Sequence, residues 1–349
     1  MIEIKSIERI LEDKILILDG PMGTMIQEKK LDENDFRGKK FFNSKKNLKG
    51  NNDLLNITSP DLIYGIHYKY LEAGADIIET NTFNSTKISQ KDYDCDEFSF
   101  DLNYKGGLIA RKAVDDFLNK NPGQSRFVAG VLGPTNRTCS MSPDVNDPGF
   151  RNVNFDVLRD DYLVSIEALL KSGVDLILIE TIFDTLNAKA ALMALSDVER
   201  KKNIRVPLML SATITDLSGR TLSGQTLEAF YNSIIHSNPV SIGLNCALGP
   251  KELEPHLIEL DRISEFFVSI HPNAGLPNAF GGYDETPESM AKFVKKWGEN
   301  CYINIVGGCC GTTPEHIKLM KKVTKKSKPR KRLQKDKHMR LSGLEAFNY

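Results

Sequence analysis

The chain has 349 residues, 40% hydrophobic and 26% charged, enough apolar material for a full core in one large domain or two smaller ones. Its 46 basic and 46 acidic residues cancel to a formal charge of +0, so no global field favours nucleic acid or an anionic membrane surface. Residues 1–14 mix Glu, Lys, Arg and Asp with isolated isoleucines. They have neither the apolar core of a signal peptide nor the length of a spanning helix, and a cytoplasmic protein is expected.

Short apolar runs rich in Ile, Val and Leu then recur at 15–18, 76–79, 127–132, 175–180, 207–212, 240–246, 266–270 and 302–306. Between and after them lie stretches with helical spacing at 60–73, 104–119, 155–172, 187–201, 227–237, 251–263, 287–297 and 314–323. Strict strand–helix alternation means a parallel sheet, and eight such units predict a (β/α)8 TIM barrel as a single domain. The segments Gly74-Ala75-Asp76-Ile77-Ile78-Glu79-Thr80 and Gly173 to Thr181 share a helix-ending Gly, an Asp entering the strand and a terminal Glu-Thr, which supports repeated units. An open doubly wound sheet is the rival, and it would gather its ligands at one crevice rather than around a ring. Residues 1–324 are assigned to the barrel. Residues 325–349 are assigned to a basic tail, which composition reads as a solvated linker or a docking strip for an acidic partner or nucleic acid.

In a parallel barrel the site lies at the C-terminal ends of the strands, and the unusual residues of this chain fall there. They are Asp19-Gly20-Pro21-Met22-Gly23-Thr24, Glu180-Thr181, Asn245-Cys246, His271-Pro272-Asn273-Ala274-Gly275 and Gly307-Gly308-Cys309-Cys310-Gly311-Thr312. In the cytosol the six cysteines are reduced, so metal binding or catalysis is a better expectation than a disulfide framework. Cys95, Cys139 and Cys301 have no evident partners. Cys309 and Cys310 stand between glycines that let the backbone bend, so both sulfurs can reach one ion, and Cys246 can join them if the strand ends are neighbours. Three thiolates with no fourth Cys or His nearby suggest zinc with one position open; buried free thiols or a vicinal disulfide are the plainer alternatives.

With three thiolates the zinc unit has a net charge of about −1, which makes it a poor activator of water but suits a substrate thiol, which can bind as thiolate and attack a carbon electrophile. The implied reaction is S-alkylation. Asp19 and Glu180 suit an ammonium group, and the backbone N–H groups around Gly20 and Gly23 suit a carboxylate, which together describe a zwitterionic amino acid. A strand-end Asp also caps turns, and Asn273, which could orient substrate or lend its amide oxygen to zinc, is by type a turn residue.

These segments, with Glu79-Thr80-Asn81-Thr82-Phe83, resemble the signatures of the zinc-dependent homocysteine S-methyltransferases. Gly133-Pro134-Thr135-Asn136-Arg137 and Ser142-Pro143-Asp144-Val145-Asn146-Asp147-Pro148-Gly149-Phe150-Arg151-Asn152 resemble in particular the homocysteine module of the cobalamin-dependent methionine synthases. The resemblance implies a (β/α)8 barrel with zinc on Cys246, Cys309 and Cys310, the homocysteine amino group on Asp19 and Glu180, and methyl transfer from methylcobalamin to give methionine. Leu341-Ser342-Gly343-Leu344-Glu345 resembles the junction to a folate-binding module. The Asp-x-His-x-x-Gly segment that holds cobalt in the full enzyme is missing, so the methylcorrinoid is expected on a corrinoid-binding partner, the chain being a split subunit or an excised module. A betaine- or S-methylmethionine-dependent relative and a non-catalytic homocysteine or zinc binder are the alternatives; no aromatic cage for a quaternary ammonium donor is evident.

Overall fold

The computed structural model describes residues 4–278, 282–335 and 338–349. Eight strands, β1 (Leu16–Ile17), β2 (Ile77–Glu79), β3 (Phe127–Leu132), β4 (Leu176–Ile182), β5 (Leu208–Ala212), β6 (Ser241–Asn245), β7 (Phe267–His271) and β8 (Ile305–Val306), form one parallel sheet in the order β1-β8-β7-β6-β5-β4-β3-β2. A parallel bridge between Leu18 and Ile77 brings the two ends together. There the Asp19 N–H donates to Ile77 O (3.0 Å) and the Asp76 N–H to Ile17 O (2.7 Å). The sheet is therefore a nearly closed barrel, as expected; an open doubly wound sheet would leave β1 and β2 as unpaired edges.

Helices Pro60–Ala73, Ser99–Lys120, Phe155–Ser172, Thr185–Lys202, Leu227–Ile234, Pro250–Ile263, Pro287–Glu299 and Pro314–Thr324 follow the successive strands. All but Ser99–Lys120 start at a side-chain cap, as Asn154 accepting the Val157 N–H and Asp184 those of Leu186 and Asn187, or at a proline in the first turn. Gly74 and Gly173 end two of them in the left-handed conformation (φ 108° and 89°) and turn the chain into the next strand. The helix at 99–120 begins five residues earlier than its spacing predicts, because Ser99 and Asn103 are drawn in by hydrogen bonds to Ser85 O (2.6 and 3.0 Å). Among the described residues no helix is long and apolar enough to cross a membrane.

Two features at the N-terminal end of the barrel were not anticipated. Ile4, Ile7 and Ile10 belong to a helix, Ile4–Asp13, whose Ile7 and Leu11 are fully buried against the barrel interior with Leu16, Phe267 and Ile305. The basic tail is also anchored. Arg330, 3% exposed, pairs with Asp261 Oδ1 (2.7 Å) and donates to the carbonyls of Phe266, Asp261 and Ser264 (3.1, 2.7 and 2.7 Å). Beyond it, a two-stranded hairpin, Arg340–Ser342 and Ala346–Asn348, lies against the helix Leu227–Ile234, held by Asn232 Nδ2 to Leu341 O (3.1 Å) and the Thr226 N–H to Leu344 O (3.0 Å). A charge run reads as solvated by composition alone, whereas Arg330 meets a ring of carbonyls and a carboxylate that only the folded barrel assembles.

Candidate functional site

The C-terminal ends of the strands surround a cavity of about 340 Å³. Its walls are shaped by backbone departures at the strand ends. In β4 the register shifts between Ile179 and Ile182, and Thr181 takes φ 55°, unusual for a β-branched residue. Asn245 holds this bulge, accepting the Thr181 N–H (3.0 Å) and donating to Thr181 Oγ1 (2.8 Å) and Glu180 Oε2 (3.3 Å). At the end of β6, Cys246 and Ala247 both have positive φ (63° and 58°), which ends the strand and puts the Cys246 sulfur on the cavity wall.

Cys309 and Cys310 reach the same wall through a turn fixed on both sides. The Cys309 N–H donates to Pro272 O (2.8 Å), Cys310 O accepts from the Ala274 N–H (2.8 Å), and the Gly311 N–H donates to Thr24 Oγ1 (3.0 Å). Gly308 is required here, since a Cβ would stand 2.2 Å from Thr312 Oγ1. The sulfurs of Cys246, Cys309 and Cys310 lie within 4.8 Å of one another, Cys246 and Cys310 at 3.9 Å, and none is in a disulfide. Cys95 and Cys139 are buried elsewhere as free thiols.

The three thiols share protons. The Cys310 thiol is pushed down to about 3 by hydrogen bonds from Cys246 and Cys309. Cys309 is held well above the ordinary thiol value by its bonds to Cys246 and Cys310 and by burial. At Cys246 the bond with Cys309 favours the thiolate, but the bond to Cys310 and burial outweigh it and push the group up to about 12. The shared protons favour a thiolate at Cys310, and three sulfurs make a donor set suited to a soft cation. Four thiolates or thiols arranged tetrahedrally at zinc–sulfur distance stand about 3.8 Å apart, close to the Cys246–Cys310 separation.

Opposite the sulfurs lie carboxylates. Asp19, 1% exposed, accepts the Glu79 N–H on both oxygens (3.2 and 3.1 Å). Burial raises it well above the usual carboxylate range against the pull of that bond, and the charge of Glu180 adds to the rise. Glu180 Oε2 lies 3.3 Å from His271 Nε2. Glu79 lines the cavity and is likewise held well above its ordinary value by burial, then by the charges of Glu180 and Asp19. Gly20 and Gly23 line the same cavity, and Gly23 belongs to a short helix, Met22–Gln27. Gly20 has no room for a Cβ, which would come 2.8 Å from the Tyr70 hydroxyl. Asn273 is buried beside the Cys310 loop, and its Oδ1 has no hydrogen-bond partner among the described residues.

Of the residues singled out from sequence, Gly20, Gly23, Glu180, Cys246, Cys309 and Cys310 line the cavity, whereas Asp19 and Asn273 are buried at strand ends outside its lining. Sequence reasoning gave no site role to Glu79, His271, Asn245 or Tyr283. Glu79 did carry a signal, since it ends its strand with the same Glu-Thr pair as Glu180. Tyr283 lines the cavity against Cys310 and packs on Gly311, where a Cβ would meet its Cγ at 2.4 Å.

The model of the family described as homocysteine S-methyltransferase matches residues 16–324. Among solved structures, the homocysteine methyltransferase MmuM from Escherichia coli is similar in three forms. The metallated form is 24% identical, with 89% of this chain and 96% of that one covered and a TM-score of 0.69. The oxidized form is 23% identical over 88% and 95% at 0.68, and the apo form 22% over 89% and 97% at 0.64. At such identity these structures bear on the fold alone.

Proposed function

Because the chain belongs to the homocysteine S-methyltransferase family, we propose that it moves a methyl group from a methylcorrinoid, methylcobalamin, to the sulfur of L-homocysteine and releases methionine. In this reading the donor is carried by a separate corrinoid-binding protein or module. The observation that carries the reading is the meeting of three cysteine sulfurs within 4.8 Å of one another and a set of carboxylates in one cavity at the barrel mouth.

Cys246, Cys309 and Cys310 fit zinc by donor type and by spacing, and Asn273, next to the Ala274 whose N–H meets Cys310 O, offers an amide oxygen that has no hydrogen-bond partner among the described residues. Zinc held there supplies the acidity that keeps a substrate thiol as thiolate at neutral pH. The chain's own residues do the rest. Asp19 and Glu180 receive the α-ammonium, oriented by the Glu79 N–H and by Asn245 and His271 respectively. The backbone N–H of Gly20 and those of Met22, Gly23 and Thr24, the last three in the first turn of a helix where no intrahelical partner exists, receive the α-carboxylate. A substrate fixed at both groups directs its sulfur toward the cysteine wall. In the transfer the new S–CH3 bond forms as the bond from methyl to the donor breaks, and the thiol proton leaves to solvent.

Two features favour a bulky methylcorrinoid over a small quaternary donor. The loop after β3 is braced by Arg151, which donates to the carbonyls of Cys139, Ser140, Pro148 and Phe150 (2.9, 3.0, 2.8 and 2.7 Å), and it leaves Val145 94% exposed at the site end. Among the described residues lining the cavity only Phe83 and Tyr283 are aromatic, too few to cage a quaternary ammonium. The test is methionine formation by zinc-loaded protein under reducing conditions with methylcobalamin, betaine or S-methylmethionine. Turnover with methylcobalamin alone is expected; turnover with either other donor and none with methylcobalamin would overturn the donor assignment.

A further inference from the structure

The cavity holds one acidic side chain that the protein itself leaves without a partner. Asp19 is occupied by the Glu79 N–H on both oxygens, and Glu180 Oε2 by Asn245 Nδ2 and His271 Nε2. The Glu79 carboxylate, although its ligand atom lies within 4.8 Å of those of Glu180 and His271, takes no hydrogen bond and no ion pair among the described residues. No lysine or arginine is among the described residues that line the cavity. A carboxylate desolvated beside two others, in a pocket with no protein cation, is stable as an ion only when a cation enters from outside.

Two kinds of cation could enter. A metal ion would need several free ligand atoms, and here His271 Nε2 and Glu180 Oε2 are already turned to each other, leaving the outer Glu180 oxygen and Glu79. An ammonium group carries three N–H donors in fixed directions and needs three acceptors around it. Glu79 and the outer Glu180 oxygen line the cavity and offer two; the third is an Asp19 oxygen, which accepts the Glu79 N–H at 3.1–3.2 Å and keeps a second lone pair. Resting on the homocysteine reading above, we propose that Glu79 is a specificity-determining residue that completes a three-carboxylate cage and makes a free α-ammonium group a requirement for the thiol substrate.

The experiment is calorimetric titration of the zinc-loaded full chain, wild type and Glu79→Gln, with L-homocysteine and with its des-amino analogue γ-sulfanylbutanoate. The wild type is expected to bind homocysteine far more tightly than the analogue. Glu79→Gln is expected to weaken homocysteine about ten- to hundredfold, the scale of one charge-assisted hydrogen bond, and to change the analogue little. Glu79→Asp, which keeps the charge, should recover part of the selectivity. Equal weakening of both thiols, or no change in either, would overturn the role of Glu79 while leaving the family reading intact. A wild type that binds neither thiol would instead overturn the homocysteine reading, and this proposal with it. Metal content provides the remaining arm: one zinc per chain in wild type and variant is expected, and a second metal ion present in wild type but lost in Glu79→Gln would assign the cluster to a metal and overturn the ammonium cage.

Discussion

The two ends of the barrel bury carboxylates in opposite company. At the N-terminal end Asp76, 1% exposed, meets Lys321 Nζ at 2.6 Å, Lys14 Nζ and Arg126 Nη1 at 3.5 Å, and the Ile17 N–H at 3.0 Å. At the C-terminal end Asp19, Glu79 and Glu180 have backbone, amide and imidazole groups around them but no lysine or arginine at pairing distance among the described residues. Both arrangements carry the desolvation cost of a buried charge. Only the first offsets it within the chain. The neutralised carboxylate knits the N-terminal helix, β1, the start of β3 and the last barrel helix together, whereas the unneutralised set is offset only by something that binds. The same residue type is therefore structural at one end and functional at the other, and the difference lies in its neighbours.

The largest expected effect falls on the sulfur wall. Cys309→Ala should abolish methyl transfer while leaving the melting temperature within a few degrees, because a core of this size does not depend on a metal for burial. Circular dichroism melts beside a methionine assay check both halves, and global unfolding of the variant would move the cluster from the functional end of the comparison to the structural one.

Next come paired substitutions of the acids. Asp76→Asn strands three cations around a neutral amide and should cost roughly 3 kcal/mol in urea unfolding, with the activity of the folded fraction unchanged. Asp19→Asn removes one charge from a repelling set, so stability should hold or rise while homocysteine turnover falls about a hundredfold. If Asp19→Asn proved as destabilising as Asp76→Asn, the distinction between the two ends would fail.

How much of this was legible in the sequence follows from what each feature depends on. The strand–helix alternation is local, and it located eight units and the barrel. The cysteine pair with its glycines, the strand-end Asp19 and Glu180, and Asn273 stood out because their types are unusual after apolar runs. The N-terminal helix was hidden by its brevity: Ile4, Ile7 and Leu11 have helical spacing, but nothing local says that the face they make closes a barrel. Arg330 was hidden for the opposite reason, lying in a run of cations where only tertiary contact with Asp261 and three carbonyls distinguishes it. Likewise Asn245 acts through a bulge at Thr181, 64 residues away, which no reading of either segment alone could pair.

Asp53 provides the finest test, because it lies at the functional end yet has donors of its own. It is 3% exposed and accepts the Asn84 N–H (2.6 Å) and the Ser85 hydroxyl (2.8 Å), but burial still raises it to about 7. Its folded value lies above the unfolded one, so the folded chain holds the proton more tightly. Below about pH 4 both states are protonated and the group is neutral in its effect. As pH rises from about 4 to about 7 the unfolded chain ionises freely while the folded chain must bury the charge, and stability falls through that window and then levels. The full shift sets a ceiling of roughly 4 kcal/mol, and water in the adjoining cavity should reduce this to about 1–2 kcal/mol. Asparagine can accept both hydrogen bonds without charge. Asp53→Asn should therefore come nearest the wild type in urea unfolding at about pH 4 and exceed it at pH 8. A difference of the same size at both pH values would mean that the hydrogen bonds, not the charge, decide the behaviour of Asp53, and would place it with Asp76 as a satisfied structural group.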